Sequence, residues 1–231
     1  MLLPLVGTTI GLPIEQQPLK DIVLDDLLTV VAELKKAEII PTVIEAFLPT
    51  LTVSISWSKK HSAALGNTIK PSHLQNQPSI TLHGDGNTYN EHLKYIVTLT
   101  DPDAPSRVDP KWSQMCHWIA SNISLSSPSL DFVQILPIPN THNEEKWESL
   151  SIDEIIPYKP PGPPPKTGKH RYVFLVFAPR NGTTEPLDLS KPGERRHWGT
   201  GKEGGGVREW AGDNGLVAVG ANFVYAQNKK Q

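Results

Sequence analysis

A chain of 231 residues, 38% of them hydrophobic, is long enough for one large domain and should bury roughly 70% of the surface its unfolded form exposes. Its 22 Lys and Arg against 24 Asp and Glu leave a formal charge of -2, which excludes the global positive field that favours nucleic acid. One cysteine, Cys116, excludes an internal disulfide and points to a reducing, cytoplasmic compartment, and no apolar run approaches the ~18 residues of a membrane span.

The chain begins MLLPLVGTTIGLPIEQQ, which is apolar but lacks a basic flank and is interrupted by Pro4, so it reads as an arm rather than a signal peptide. Leu24, Leu27, Leu28, Val31 and Leu34 then form one apolar stripe, which predicts a helix from Leu24 to Ile39. Asp25 and Asp26 would lie in its first turn and Lys35 and Lys36 in its last, each favourable to the helix dipole. Pro41 suits the first position of a second, shorter helix through Val43, Ile44 and Phe47. Beyond Pro49 the texture turns to strands: LTVSISW, SITLHG, YIVTLT, CHWIASNI, DFVQILPI and RYVFLVFAP. A short helix is expected from Val207 to Ala211, followed by a last apolar run, GLVAVGANFVYA. Strands separated by turn-rich segments predict an antiparallel β-sandwich, and 22 prolines suit its loops and edges. YKPPGPPPKTG reads as a stiff extended loop within a single domain spanning 1–231, of which 1–48 form an arm and helical extension.

Several motifs fail on context. GTGKEG, at Gly199 to Gly204, has the letters of a dinucleotide fingerprint but no preceding strand and no acidic residue at the right distance. It reads instead as a flexible glycine-rich surface loop that should ignore nucleotides. No nucleophile elbow and no metal-ligand spacing occur. The sequons at Asn122 and Asn181 carry little weight without an export signal.

What remains are three strand ends that carry polar groups. Alternation puts Asp101 on the face of Tyr95, Val97 and Leu99, in a strand read as half-buried, with Pro102 and Pro105 stiffening the loop beyond it. It puts His170, Tyr172, Phe174 and Val176 on one face, with Arg171, Val173, Leu175 and Phe177 on the other. It also separates His117, Ile119 and Ser121 from Cys116, Trp118 and Ala120. Converging imidazoles and a phenol are donors suited to an anion, with a carboxylate to orient them and free N–H groups near Gly162 and Gly168 as further donors. Binding through protonated imidazoles would strengthen as pH falls from about 8 to 6.

DPDAPSR, then DPKW with CHWIASNI, then PPPKTGKHRYVFLVF resemble the phosphatidylethanolamine-binding protein family, and the likeness runs from about Pro41 to Tyr225. The helical extension and the ending look most like its fungal branch, which includes an inhibitor of a serine carboxypeptidase. The resemblance implies a large antiparallel sheet faced by a smaller one, a few peripheral helices, and a pocket for phosphate-like and carboxylate-like anions, including phospholipid head groups. By position it assigns Asp101, His117, His170 and Tyr172 to that pocket, Pro105, Trp112 and Gly162 to its walls, and Asp103 and Arg171 to its support. Trp112 stands where a phenol is common, and Met115 and Cys116 replace residues that are often aromatic or His. No cofactor or metal is implied. The expected partners are a small anion or head group and a serine carboxypeptidase or signalling protein, without stable membrane insertion. A phospholipid-binding scaffold and a hydrolase using Asp101, His117 and His170 around a water are the alternatives.

Overall fold

The computed structural model describes residues 19–84, 92–125 and 152–231, with side chains from Asp26 onward. The expected arm ahead of Leu19 and the expected strand at 131–138 lie outside the described residues. Helix α1, Leu19–Lys36, starts earlier than its stripe suggests, so Asp25 and Asp26 sit within it while Lys35 and Lys36 do occupy its last turn. Its buried side chains are Leu27, Val30, Leu34 and, just beyond, Ala37, whereas Leu28 is 51% exposed. The helix stops where Glu38 takes a left-handed φ of 55°. The expected second helix is absent: 37–44 is a run of turns in which Ile39, Val43 and Ile44 are anchored in the core. The amides of Val43 and Ile44 both go to the Ile39 carbonyl, so no regular ladder starts beyond Pro41, while Arg171 Nη1 takes the carbonyls of Ala37 and Glu38 and stops α1 from continuing.

Strands β1 (Leu51–Ser58), β2 (His61–Ser62) and β4 (Ser79–Gly84) make a small sheet in the order β2-β1-β4, and β3 (Asn67–Thr68) belongs to the large one. The large sheet adds β5 (Tyr95–Asp101), β6 (Met115–Ile123), β7 (Asp153–Ile156), β8 (Lys169–Pro179) and β9 (Leu216–Gln227), in the order β3-β9-β8-β5-β6-β7. Every pair is antiparallel except β3 with β9. Helix α2, Val207–Asp213, precedes β9.

The large sheet is covered on both faces. Val97, Leu99, Trp118, Tyr172, Phe174 and Val176 pack against Leu51, Val53, Ile55 and Leu82 of the small sheet. Ile96, Ile119, Val173, Leu175 and Phe177 pack on the other side against Val30, Leu34, Val43, Trp198 and Trp210. Each such side chain contributes about 1.5–3 kcal/mol on burial. Strand β5 is therefore buried throughout rather than half-buried, and its threonines satisfy their hydroxyls inside. Thr100 Oγ1 receives the Trp198 indole N–H at 3.0 Å. The two sheets meet where Gly220 stands: a Cβ there would lie 2.5 Å from Leu51 Cδ1, and the Thr50 N–H beside it bonds the Val219 carbonyl.

The glycine-rich loop is docked rather than flexible. Gly204 N–H donates to the Ser113 carbonyl, and Gln114 N–H donates to the Gly205 carbonyl. Gln114 Oε1 accepts from Val207 N–H at 3.2 Å, and the Gln114 side chain fills the space where a Cβ on Gly206 would sit, 2.3 Å from its Cδ. Because that carboxamide is buried and bonded, it has nowhere to retreat. Gly206→Ala is therefore expected to cost about 1–3 kcal/mol by overpacking. A denaturant midpoint equal to that of the unsubstituted protein would show that Gln114 yields freely.

Candidate functional site

Antiparallel pairing brings the end of β5 and the starts of β6 and β8 to one edge of the large sheet, since Thr100 pairs with both Cys116 and Val173. Asp101 closes β5 and points to the same face as Leu99, where Tyr172 also lies. His117 arrives there by a route that alternation does not give. Leu99 pairs with Trp118 and Thr100 with Cys116, so His117 is the extra residue of a bulge. Cys116 consequently joins Ile119 on one face, while Trp118 and Ala120 hold the other. The bulge turns the His117 ring onto the Trp118 face, edge-on to Tyr172, with centroids 5.3 Å apart and planes at 89°.

Asp101, 3% exposed, is the hub. Its Oδ1 accepts the Asp103 N–H at 2.8 Å and its Oδ2 faces His170 Nδ1 at 2.9 Å. The Tyr172 hydroxyl lies close enough to this carboxylate and to the Gly162 backbone to be influenced by both. Burial first, and then the Asp101 charge, push the phenol far above its ordinary value, so it stays protonated. On the far side of the ring, His170 Nε2 lies 2.9 Å from Thr167 Oγ1, whose own proton goes to the Pro164 carbonyl at 2.8 Å. The Asp101 carboxylate accepts from Nδ1, and Nε2 is taken up by the Thr167 hydroxyl. His170 is thus engaged at both nitrogens and 1% exposed. It orients the site and is not the free donor expected from the sequence. Of the two anticipated backbone donors, Gly168 N–H is engaged on Gln231 Oε1 at 3.0 Å, and Gly162 lies beside the Tyr172 hydroxyl.

His117 is different. Its Nδ1–H donates to the Lys159 carbonyl at 2.7 Å, which fixes the tautomer and leaves Nε2 as the lone-pair atom. Burial holds this imidazole below its ordinary value of 6.5, and Lys159 and Arg195 push the same way, against the Asp101 charge and the bond to Lys159. A strengthening of anion binding through its protonation therefore belongs at a lower pH than the interval from 8 to 6. The same refusal of a proton makes stability fall as the pH drops below 6.5, because the unfolded chain then binds a proton that the folded one does not.

Asp103 and Arg171 lie on the opposite side of the strands. Arg171 Nε and Nη2 fork onto the Asp103 carboxylate at 3.0 and 2.6 Å, and its backbone N–H adds a third bond at 2.8 Å. Pro105 and Trp112 belong to the adjoining loop, where Trp112 N–H bonds the Ala104 carbonyl. The Arg196 guanidinium lies over the Trp112 ring, its Cζ 5.8 Å from the centroid. Cys116 is inert, its thiol pushed up to about 12 by burial. Sequence reasoning missed Thr167, Lys159 and Arg195. Thr167, three residues before His170, was within reach of a local reading, whereas Lys159 and Arg195 are brought to His117 by long-range packing alone.

The profile of the phosphatidylethanolamine-binding protein family matches residues 59–224. The chain is 28% identical to the carboxypeptidase Y inhibitor of Saccharomyces cerevisiae over 84% of its own length and 93% of the inhibitor. An uncharacterized protein of the same yeast is 30% identical over 86% of this chain and 94% of the other. Among solved structures, the carboxypeptidase Y inhibitor complexed with its cognate proteinase superposes with a TM-score of 0.71 at 28% identity, covering 90% of this chain and all of the other. A phosphatidylethanolamine-binding protein from Plasmodium vivax shares the fold, with a TM-score of 0.60 at 19% identity over 86% of this chain and 97% of its own.

Proposed function

Starting from the fact that the chain belongs to the phosphatidylethanolamine-binding protein family, we propose that it is a binding protein that regulates a partner, as an inhibitor of a serine carboxypeptidase. One observation carries this reading. The likeness to the carboxypeptidase Y inhibitor covers 90% of the chain, well beyond the 59–224 that the family shares, and so takes in part of the N-terminal extension.

The same reading gives the pocket a ligand of stated chemistry. A neutral His117 with its lone pair at Nε2 suits a group that both carries negative charge and offers a proton, such as hydrogen phosphate or a head group with phosphate and ammonium. Asp101, His170, Tyr172 and Gly162 hold the floor, and Pro105 and Trp112 form the wall. A binding role is favoured over a hydrolytic one by the state of the polar groups. Asp101, His170 and Thr167 have the connectivity of an acid, base and nucleophile. Yet the Thr167 proton is given to Pro164, and the N–H of the following residue, a natural oxyanion donor, is held by Gln231.

A serine carboxypeptidase has a deep site, which a thin apolar segment with Leu2, Leu3 and Leu5 would suit. Burying each leucine contributes about 1.5–3 kcal/mol before the cost of ordering. The 231-residue chain is expected to inhibit yeast carboxypeptidase Y, and a form lacking residues 1–20 to be at least about tenfold weaker, a loss of about 1.4 kcal/mol. Full inhibition by the shortened form would move the contact to the folded body. No inhibition by either would leave the inhibitor reading without support.

A further inference from the structure

Arg195 is half-buried and forms no ion pair among the described residues. Its guanidinium is spent on backbone. Nη1 donates to the carbonyls of Cys116 and His117 at 3.2 and 3.1 Å, and Nη2 donates to the Pro157 carbonyl at 2.9 Å. Its own carbonyl accepts the Cys116 N–H at 2.8 Å. These partners are the bulge of β6 and the start of the segment that holds the His117 ring from its other side. There Lys159 N–H bonds the His117 carbonyl and the Lys159 carbonyl accepts from Nδ1. The chain accepts strain to put Arg195 there. His197 and Trp198, two bulky residues in succession, take left-handed φ values of 51° and 52°. They are pinned by His197 Nδ1 to the Ser113 carbonyl and by the Trp198 indole to Thr100.

We propose that Arg195 is the positioning residue of the anion pocket: its fork fixes the bulge that turns His117 inward, and its charge is what draws the anion. This inference rests on the anion-pocket reading of the proposed function. The groups that face His117 are Asp101 from β5, Tyr172 from β8, with His170 stacked beyond it, Lys159 from the segment after β7, and Arg195. Two of these are cations and one is an anion whose two oxygens are already engaged by Asp103 N–H and His170. An incoming anion therefore meets positive potential although His117 is neutral. Lysine at 195 would keep the charge but lose the planar fork that spans three carbonyls.

The test compares the unsubstituted protein with Arg195→Gln and Arg195→Lys, reading the His117 ring by NMR across pH and titrating inorganic phosphate. In Arg195→Gln the titration midpoint of His117 is expected to rise and phosphate binding to weaken about tenfold, with binding now strengthening as His117 gains a proton. In Arg195→Lys the midpoint should stay closer to that of the unsubstituted protein, while phosphate binding weakens and the His117 ring resonances move. An unchanged His117 titration and ring environment in both variants overturns the role given to Arg195. Failure of the unsubstituted protein to bind phosphate overturns the anion-pocket reading and the charge attributed to Arg195, and the ring resonances then decide its positioning of His117.

Discussion

Replacing Asp103 with alanine is expected to lower the unfolding midpoint by about 6–20 °C. Asp103 and Arg171 are 1% and 6% exposed, so neither charge can turn to water when the other is removed. Breaking such a buried pair by deleting one partner costs about 3–5 kcal/mol, and each kcal/mol moves the midpoint of a domain this size by about 2–4 °C. The loss is also directional. Arg171 joins β8 to the exit of α1 through the carbonyls of Ala37 and Glu38, so amides of α1 should lose exchange protection before those of β5 or β8. Replacing both residues, Asp103→Ala with Arg171→Met, removes the orphaned charge but still strands the Ala37 carbonyl, since Glu38 keeps the Thr42 hydroxyl. Its midpoint should lie above that of Asp103→Ala and below that of the unsubstituted protein. A shift under about 2 °C for Asp103→Ala would mean that water reaches Arg171 and that the pair does not anchor the helix.

Most of the large sheet was legible because β5, β6, β8 and β9 are long, apolar and bounded by turn residues. The small edge strands β2, β3 and β7 were not, since two to four residues carry no period to read. Alternation grouped Asp101 with Leu99 and His170 with Tyr172, as the structure has them, but it grouped His117 with Ile119, whereas the ring lies on the Trp118 face. The cause is specific. A bulge resets the period by one residue, and nothing in CHWIASNI marks where that happens, because the pairing of Thr100 with Cys116 decides it. The donor at Gly168 was legible as a position and not as a state, because Gln231, which engages it, comes from another part of the chain. Helical propensity after Pro41 lost to the burial of Ile39, Val43 and Ile44 in the core, while Arg171 stops α1 by taking the carbonyls of Ala37 and Glu38 from outside. In each case the local pattern named the residue and a long-range bond settled its role.

The second large effect is expected at Asp101, and comparing two substitutions separates its roles. Asp101→Ala strands the buried Asp103 N–H and His170 Nδ1, and should cost about 3–5 kcal/mol. Asp101→Asn keeps an acceptor for the Asp103 N–H but points an amide N–H toward His170. The ring can meet that amide at Nδ1 only by moving its proton to Nε2, where the Thr167 hydroxyl can accept it. Asp101→Asn should therefore be milder than the alanine by about 1–3 kcal/mol, the cost of the orphaned groups it spares. Its signature is chemical rather than thermal. In the unsubstituted protein a proton is held between His170 Nδ1 and Asp101, and in the asparagine variant Nδ1 becomes an acceptor, which nitrogen chemical shifts of the ring report directly. Were the two proteins to show the same His170 nitrogen shifts, the proton would not lie on that contact, and His170 would regain the freedom to donate to a ligand.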